Sequence, residues 1–419
     1  MLITRNTCRA CGSSALKDVI KLDDQYLASN FSISEKFQPV QRKIPLEVVR
    51  CDPQVDQNAC GLVQLRHTVP PNLMYSSYGY RSGINETMTA HLGALARAAG
   101  ERVSLIRDDV VVDIGANDGT LLRQYGTFGL LSVGFEPSNI QPEAPIPGVV
   151  FVRDYFSAPA FQKLGLPKAK IITSIAMFYD LENPNAFVAD VAACLAPDGV
   201  WIFEMSYMPT MLKNASFDTI CHEHLEYYAF APLERLLTKH GLVVADAELN
   251  QANGGSIRVT ACLKGSPHAA HTEEARERIY AIQKNEFELK LETEAPYRAF
   301  RENSERIRTE LAALLLKIRS NGKTIYGYGA STKGNVILQY CGITPEHVTA
   351  IADRNPAKVG GKTLGTNIPI ISEDEMRLAK PDYLLVLPWH FMNEFRAREA
   401  QFVERGGKFI VPMPRVETL

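Results

Sequence analysis

The feature that most constrains this 419-residue chain is the run VVVDIGANDGTL at residues 110–121. A short, β-branched apolar run that ends in glycines is typical of a parallel strand buried on both faces. Gly115 and Gly119 allow positive φ angles and let the backbone approach a ligand closely. Because ligands of open α/β sheets bind at the carboxyl ends of the strands, the run predicts an α/β domain with a binding site at this turn.

Similar patterns further along the chain predict the rest of this domain. Apolar residues three and four apart predict a helix over residues 83–107, ahead of the first strand. Later strands are expected at 131–135, 171–174, 200–204 and 256–262, with helices at 185–195 and 232–240. This alternation predicts a doubly wound α/β domain over residues 76–268.

A second α/β pattern covers residues 321–419. Strands are expected at 324–328, 348–353, 383–387 and 408–411, with a helix at 335–340 after a glycine loop. Between the two units, residues 269–320 are rich in Glu/Lys and Arg/Glu pairs at helical spacing, which predict a long, solvated helical linker. The predicted fold class is therefore α/β, with two Rossmann-like units.

The turn at Gly115 also indicates which cofactor it binds. A dinucleotide site usually requires G-x-G-x-x-G, whereas here Asp113 and Asn117 place a carboxylate and an amide at the turn. These groups suit a nucleoside joined to a cationic amino acid, and Glu136, about 21 residues after Gly115, can accept both ribose hydroxyls. The turn is similar to the S-adenosylmethionine loop of class I methyltransferases, with a purely structural βα turn as the alternative. The resemblance implies cofactor contacts at Asp113, Gly115, Asn117, Gly119, Glu136, Pro137, Asp154 and Tyr155.

Four of the eight cysteines, Cys8, Cys11, Cys51 and Cys60, lie within the first sixty residues, and the others are scattered. Clustered thiols in a reducing compartment usually bind a metal. Cys8 and Cys11, followed by a glycine, form a C-x2-C-G knuckle, and the other pair can complete a tetrahedral zinc site. Four protein ligands leave no open position, so the ion is expected to be structural, in a small domain over residues 1–75. The alternative is a set of unrelated buried cysteines.

The most unusual segment is SFDTICHEHLEYY at residues 216–228, which concentrates imidazoles, carboxylates and phenols. His222 and His224 are two residues apart, unlike the H-E-x-x-H spacing of a helix-borne zinc site. An imidazole near neutrality, with carboxylates and phenols that orient it or pass protons, suits general acid–base chemistry instead. The alternative is that these polar groups satisfy one another in a buried loop.

Three features together resemble the sugar C-methyltransferases that act on NDP-4-keto-deoxyhexoses. They are the cysteine knuckle, the H-E-H segment after Phe203-Glu204-Met205, and GYGASTKGN at residues 327–335. The likeness extends over essentially the whole chain, including NGGSIR at 253–258 and LPW at 387–389. It implies that an enolate carbon of the acceptor attacks the methyl group of S-adenosylmethionine, and that the acceptor is a small-molecule NDP-sugar.

The resemblance also implies roles for individual residues. His224 is the expected base that removes the proton beside the ketone, and Glu223 assists it. His222 belongs to the same catalytic segment, in a position expected to be structural. A tyrosine ahead of the methyltransferase domain, Tyr78 or Tyr80, is expected to reach into the site.

The chain departs from the family pattern at two positions. Cys221 stands before H-E-H, where the sugar enzymes usually carry tyrosine. The segment MFYD at residues 177–180 stands where such enzymes tend to carry a histidine, and Tyr179 is the candidate replacement. The alternative function is O- or N-methylation of a sugar or another small metabolite on the same scaffold.

The loop at residues 327–335 resembles a phosphate-binding turn, with backbone amides at a helix start and Lys333 as the counter-charge. Asp353, about 24 residues after Gly329, occupies the position of a ribose-binding acid. Three interpretations stay open: the loop holds or shapes the site of the acceptor nucleotide, it binds NAD, or it is a structural turn. The candidate substrate contacts are Lys333, Asn335, Asn253 and Tyr328.

Composition argues against several function classes. A formal net charge of -2 gives no electrostatic basis for binding nucleic acid or an anionic membrane surface. No stretch of apolar residues is long enough to span a bilayer, and the N-terminus lacks the apolar core of a signal peptide. We therefore expect a cytoplasmic enzyme with a small-molecule partner, and no nucleic-acid or membrane partner.

Overall fold

A computed structural model describes residues 2–29, 31–32, 42–74, 81–126 and 129–419 of the chain. The N-terminal unit is built from short strands because Pro, Gly and Asp interrupt its apolar runs. Its elements are β1 (Ile3–Thr4), β2 (Leu16–Gln25), β3 (Phe31–Ser32), β4 (Ile44–Cys51), β5 (Val63–Leu65), β6 (His67–Thr68) and α1 (Pro71–Met74). Strands β2, β4 and β5 form an antiparallel sheet with a buried face of valine and leucine side chains.

The middle unit alternates strands and helices, as the sequence predicts. Its helices are α2 (Glu86–Val103), α3 (Thr120–Arg123), α4 (Ala158–Gln162), α5 (Pro184–Cys194), α6 (Met208–Lys213) and α7 (Phe230–Lys239). Its strands are β7 (Val110–Ile114), β8 (Leu131–Phe135), β9 (Val149–Val152), β10 (Ala169–Ile175), β11 (Leu195–Ser206), β12 (Glu226–Tyr227), β13 (Leu242–Asn250) and β14 (Ser256–Leu263).

The central sheet has the strand order β13-β14-β11-β10-β7-β8-β9. Strands β7 to β11 pair in parallel, and β14 runs antiparallel to both β11 and β13. Every residue of β7 is buried, which explains why its sequence is apolar at every position except Asp113. The chain fills one side of β7 with β8 and β9 and then returns to the other side with β10, so the switch point of the sheet lies between β7 and β10. This order confirms the class I methyltransferase fold.

The prediction of one long, solvated helix between the two α/β units is wrong. Residues 269–320 form two helices, α8 (Glu273–Glu288) and α9 (Ala295–Ser320), and Lys290 between them has a φ of 53°. In α9 the side chains of Phe300, Ile307 and Leu311 are fully buried. They recur at helical spacing, so one face of α9 packs into the core while the charged residues cover the other face.

The C-terminal unit is a second Rossmann-like domain. Its helices are α10 (Thr332–Tyr340), α11 (Glu373–Ala379), α12 (Met392–Arg398) and α13 (Ala400–Glu404). Its strands are β15 (Ile325–Tyr328), β16 (Ile351–Asp353), β17 (Lys362–Thr363), β18 (Ile370–Ser372), β19 (Tyr383–Val386), β20 (Lys408–Val411) and β21 (Glu417–Thr418). The sheet order is β18-β16-β15-β19-β20-β21, with parallel pairing up to β20, so its switch point lies between β15 and β19.

The N-terminal sheet is joined to both larger units by strand pairing. Strand β12, which belongs to the H-E-H segment, pairs with β5 and places Glu226 opposite Gln64. Strand β17 of the C-terminal unit pairs with β3, with Thr363 opposite Phe31. The domain limits near residues 75, 268 and 320 stay predictions, because these pairings cross them. Among the described residues, the helices are each too short or too polar to cross a bilayer.

Candidate active site and metal centre

The glycine turn after β7 has the backbone geometry that the sequence predicts. Gly115 has a φ of 73°, and its N–H donates to the carbonyl of Phe135 over 2.9 Å. Gly119 has a φ of 76°, and a Cβ there would lie 2.4 Å from Ile146 Cδ1. A Cβ at Gly115 would lie 3.2 Å from Met177 Cγ. The turn therefore tolerates only glycine at 119 and leaves a cradle at 115 that a side chain would fill.

Asp113 is buried at the end of β7, beside this cradle. The Thr173 hydroxyl donates to Asp113 Oδ1 over 2.6 Å. Burial raises the pKa of Asp113 to about 7, and the hydrogen bond from Thr173 opposes that rise. A cation placed next to this carboxyl would lower its pKa again, so the group is suited to a positively charged ligand.

Glu136 lies at the end of β8, where its carboxylate accepts from the N–H groups of Asn117 over 2.8 Å and Ser138 over 2.9 Å. Half-buried Pro137 follows it. Burial, followed by the charges of Glu136 and Asp154, raises the pKa of Tyr155, whose ring is 54% exposed. Glu136, the predicted ribose-binding acid, is therefore a neighbour of Asp154 and Tyr155, the predicted adenine-contacting residues, on one side of the turn.

The segment that follows the predicted site tyrosines contacts the turn through two backbone N–H groups. The side-chain oxygen of Asn117 accepts from the N–H of Ser82 over 3.0 Å, and that of Asp118 accepts from the N–H of Gly83 over 2.9 Å. Tyr78 and Tyr80, the predicted site tyrosines, precede this segment and lie outside the described residues.

His224 has a defined tautomer. Its Nδ1 lies 2.7 Å from the carbonyl oxygen of Thr219, which can only accept a hydrogen bond. In the neutral ring Nδ1 therefore carries the proton and Nε2 carries the free lone pair. Burial lowers the pKa of His224 to about 4, with the Thr219 carbonyl and the Glu223 charge opposing the shift. At neutral pH the ring is an unprotonated base.

Tyr179 is in contact with this base. It lies on a short 3-10 helix, Phe178–Asp180, directly after β10. The ring centroids of Tyr179 and His224 are 4.4 Å apart, and the ring planes make an angle of 65°. The candidate replacement for the histidine of the resembled family is thus brought to the H-E-H segment.

The H-E-H segment and the 3-10 helix after β10 bring three acids together: Glu223 and Glu226 are buried, and Asp180 is half-buried. Within the described part of the chain, the carboxylates of Glu223 and Glu226 have no hydrogen-bond partner. Burial, together with the negative charges of Glu223 and Glu226, raises the pKa of Asp180 well above its ordinary value. Glu223 therefore places a carboxylate next to the imidazole of His224, and both of its oxygens can accept further hydrogen bonds.

His222 occupies a different environment from His224. It is 1% exposed, and its Nε2 donates to the carbonyl of Ile44 over 3.2 Å. Burial lowers its pKa, which favours the neutral ring. It ties the segment to β4.

The C-terminal glycine loop reaches the same region. The Ser331 hydroxyl caps α10 by accepting from the N–H of Gly334, and Lys333 Nζ donates to the carbonyl of Asn253 over 2.7 Å. Trp389 Nε1 donates to Asp218 Oδ2 over 2.9 Å. Burial lowers the pKa of Lys333, while Asp218 opposes the shift. Lys333 and Asn253 are thus brought together where the C-terminal unit meets the carboxyl edge of the methyltransferase sheet.

The other two predicted substrate contacts have partners within the fold. Asn335 Nδ2 donates to the carbonyl of Ala28 over 2.7 Å. The Tyr328 hydroxyl is within 2.9 Å of Glu373 and 2.8 Å of Glu399, and its side chain is 1% exposed. In this structure Asn335 links the C-terminal unit to the N-terminal one, and Tyr328 lies in the C-terminal core.

The four N-terminal cysteines form one cluster. All four sulfurs lie within 4.8 Å of one another, with Cys8 Sγ 3.5 Å from Cys60 Sγ and Cys11 Sγ 3.5 Å from Cys51 Sγ. Sulfurs bound tetrahedrally at about 2.3 Å from zinc would be about 3.8 Å apart. The separations fit that ion, and the chemistry of four thiols suits a closed, structural site.

Sequence reasoning also missed a buried polar cluster at the end of β11. Glu204 is 3% exposed and lies 2.6 Å from His91 Nε2, while Arg258 Nε and Asn250 Nδ2 donate to its other oxygen. Both Glu204 and Arg258 fall in motifs quoted above. Their pairing depends on the antiparallel register of β11 and β14, which the sequence does not display.

Models of three protein families match the chain. They are described as "Putative zinc binding domain" over residues 8–75, "Methyltransferase domain" over 88–247 and "C-methyltransferase C-terminal domain" over 251–414. C-methyltransferase NovU of Streptomyces niveus is 32% identical over 410 residues, which is 97% of this chain and 95% of that protein.

Solved structures resemble part of the chain. One is the 1,6-didemethyltoxoflavin-N1-methyltransferase of Burkholderia thailandensis with S-adenosylhomocysteine bound, at 14% identity and a TM-score of 0.31, covering 42% of this chain and 80% of that one. Another is the magnesium protoporphyrin IX methyltransferase of Synechocystis PCC 6803 with S-adenosylmethionine bound, at 14% identity and a TM-score of 0.30, covering 45% and 88%. At these TM-scores the likeness is limited, and the fold is established by the sheet order described above.

Proposed function

The chain belongs to the S-adenosylmethionine-dependent C-methyltransferases that carry an N-terminal zinc-binding domain, and from this premise we propose that it methylates the carbon beside the ketone of a nucleotide-linked keto-deoxysugar. S-adenosylmethionine, when bound, supplies an electrophilic methyl group. The acceptor carbon must first lose a proton, so that the C–H electron pair forms an enolate with its charge on the ketone oxygen. A new C–C bond to the methyl group then forms as the S–C bond breaks.

The observation that carries the proposal is the tautomer of His224. With Nδ1–H donated to the Thr219 carbonyl, Nε2 is the lone pair available to accept a proton. A neutral ring at physiological pH is consistent with that role, because a protonated ring could not act as a base. The carboxylate of Glu223 would stabilise the imidazolium that forms when the proton is taken.

Tyr179 is proposed to stabilise the enolate. Its ring lies against the ring of His224, so a substrate carbon within reach of the imidazole is also near the phenol. A phenol hydroxyl can donate a hydrogen bond to the oxygen on which charge develops. This makes Tyr179 the candidate replacement for the histidine that the related sugar enzymes tend to carry at this position.

The cofactor is proposed to bind across the glycine turn, with its ribose at Glu136 and its amino acid near Asp113. Glu136 is held in place by two backbone N–H groups, which leaves it pre-organised to accept hydrogen bonds from hydroxyls. The buried carboxyl of Asp113 suits the ammonium group. Asn117 and Asp118 hold the 82–83 segment over the turn, which would shield the cofactor from solvent.

Lys333 supports a nucleotide-linked acceptor. It is a half-buried lysine on the first turn of α10, and its Nζ donates to the carbonyl of Asn253 at the edge of the methyltransferase sheet. A lysine at a helix start is a usual counter-charge for phosphate oxygens.

The direct test is an acceptor panel with isotope-labelled S-adenosylmethionine. NDP-4-keto-deoxyhexoses should gain one label, and NMR should place the new methyl group on the carbon next to the ketone. The matching sugar nucleotides with the ketone reduced to a hydroxyl are the control and should gain none. Transfer to the reduced sugars, with the methyl group on oxygen, would replace this proposal by O-methylation; transfer to a nitrogen would replace it by N-methylation.

A further inference from the structure

The cysteine knuckle carries a buried arginine that the proposed chemistry does not use. Arg9 lies between the ligands Cys8 and Cys11, and its side chain is 0% exposed. Its guanidinium donates to the carbonyl of Leu65 over 2.6 Å and to the hydroxyl of Thr68 over 2.7 Å. A surface role is therefore excluded, and the charge of this residue must be matched inside the protein.

Two carboxylates on different segments face this guanidinium. Arg9 Nε lies 3.3 Å from Glu182 Oε2 and 4.0 Å from Glu226 Oε1. The Thr68 hydroxyl, which accepts from Arg9, donates to Glu182 over 2.6 Å. Glu226 is buried, and burial raises the pKa of its carboxyl well above the ordinary range, while the positive charge of Arg9 opposes that rise. Arg9 is therefore the cation that favours the ionised form of Glu226.

The positions of these carboxylates connect Arg9 to the base. Glu226 lies two residues after His224, and Glu182 lies three residues after Tyr179. Those are the two residues whose rings are in contact in the candidate active site. One guanidinium thus holds both segments that bring the rings together.

The backbone of Arg9 is fixed as well as its side chain. Its N–H donates to Gln64 Oε1 over 2.9 Å, and its carbonyl accepts from Asn185 Nδ2 over 3.0 Å. Gln64 also stands opposite Glu226 in the pairing of β5 with β12. When the knuckle is closed around its metal, the backbone that carries Arg9 is held rigidly.

We propose that Arg9 is a positioning residue, through which the zinc knuckle sets the relative placement of the two segments that carry His224 and Tyr179. The arginine touches neither substrate nor cofactor. It acts because its Nε faces both carboxylates while its two terminal nitrogens donate to Leu65 and Thr68, an arrangement that a single ammonium group does not reproduce. The inference rests on the proposed function for the role of His224, but its test requires no acceptor.

The test measures how well Cys221 is protected. This thiol is fully buried in the H-E-H segment, while Cys194 and Cys262 are buried elsewhere in the same unit. Full-length, zinc-loaded protein is treated with iodoacetamide, and alkylation of each cysteine is followed by peptide mass spectrometry. Arg9→Gln should speed alkylation of Cys221 about tenfold or more, since removing one partner leaves a buried charge uncompensated.

The expected pattern separates local positioning from general instability. In Arg9→Gln, zinc should stay at one ion per chain, and the rates at Cys194 and Cys262 should stay at wild-type values. Adding Glu226→Gln should restore most of the protection of Cys221, because the uncompensated charge is removed. Arg5→Gln is the matched control: Arg5 also pairs with Glu182 but is outside the knuckle, so Cys221 should stay protected.

Three results would overturn the proposal. They are equal acceleration at all three cysteines, loss of zinc from Arg9→Gln, and a double variant with no recovery at Cys221. If Arg9→Gln fails to fold, Arg9→Lys replaces it. Lysine keeps the charge but lacks the fork, so Cys221 should then react about threefold faster or more than in wild type, and a wild-type rate would contradict the proposal.

Discussion

The ring of Tyr179 packs against the ring of His224, with centroids 4.4 Å apart and planes at 65°. One residue follows a strand of the central sheet, and the other belongs to a segment that pairs with the N-terminal sheet. The contact therefore forms only when the two sheets are docked. It brings a phenol to the side of an unprotonated imidazole.

The contact predicts a specific phenotype for Tyr179→Phe. The substitution keeps the ring and removes only the hydroxyl, so His224 should stay in place while the enolate loses a donor. We expect kcat to fall about 100-fold, as is usual for the loss of one hydrogen bond to a developing negative charge. Kinetics with the acceptor found by the panel would measure this. Tyr280→Phe, at an exposed position, is the control, and an unchanged kcat in Tyr179→Phe would remove Tyr179 from the mechanism.

The elements most accurately predicted from sequence were those whose pattern is local. The strand at 131–135 and the strand at 408–411 coincide with β8 and β20 because a buried parallel strand is apolar throughout and ends at turn residues. The glycine turn was predictable for the same reason, since positive φ at Gly115 and Gly119 is a local requirement. The four cysteines were grouped correctly because a metal site constrains residue type as well as spacing.

The features that were missed depend on contacts between distant segments. Strand β12 has two residues, too few for any periodicity, and it exists only because Gln64 stands opposite Glu226. The burial of α9 was hidden because charged residues separate its apolar positions. The link from Arg9 to Glu226 crosses more than two hundred residues of sequence, and only the docked sheets bring the two together.

Asp113 predicts how cofactor binding depends on pH. Burial raises its pKa to about 7, and the ammonium group of the ligand favours the carboxylate form. Affinity for S-adenosylhomocysteine should therefore rise as the pH increases through 7 and fall as the carboxyl takes up a proton below it. Between pH 8 and pH 6 we expect a loss of about tenfold, following the ionised fraction of a single group.

Calorimetry across that pH range would measure the effect. Asp113→Asn should bind weakly at every pH, with the dependence abolished. Glu136→Ala should also weaken binding by about tenfold or more, as expected for hydrogen bonds to a charged group, but should keep the pH dependence. A wild-type profile in Asp113→Asn would place the ammonium group elsewhere.

The cysteine cluster predicts one zinc ion per chain. Cys8→Ser should lose most of the metal, because the site has no spare ligand among the described residues. We expect its Tm to fall by about 10 °C, given that each kcal/mol of stability shifts Tm by about 4–8 °C in a domain of roughly 60–100 residues. Metal analysis and thermal unfolding measure the two effects. Cys194→Ser, a buried cysteine outside the cluster, should keep its zinc, and metal-free wild-type protein purified without chelator would contradict the assignment.

The central claim is that His224 takes a proton from carbon. The most direct measurement is deuterium exchange in heavy water, with enzyme, S-adenosylhomocysteine and an NDP-4-keto-deoxyhexose, so that no methyl transfer occurs. Wild-type enzyme should place deuterium at the carbon beside the ketone, and His224→Ala should do so about 10²–10⁴-fold more slowly while keeping its affinity for S-adenosylhomocysteine. His222→Ala, which alters the neighbouring ring bonded to Ile44, should retain exchange. Exchange at the wild-type rate in His224→Ala, or a greater loss in His222→Ala, would contradict the account.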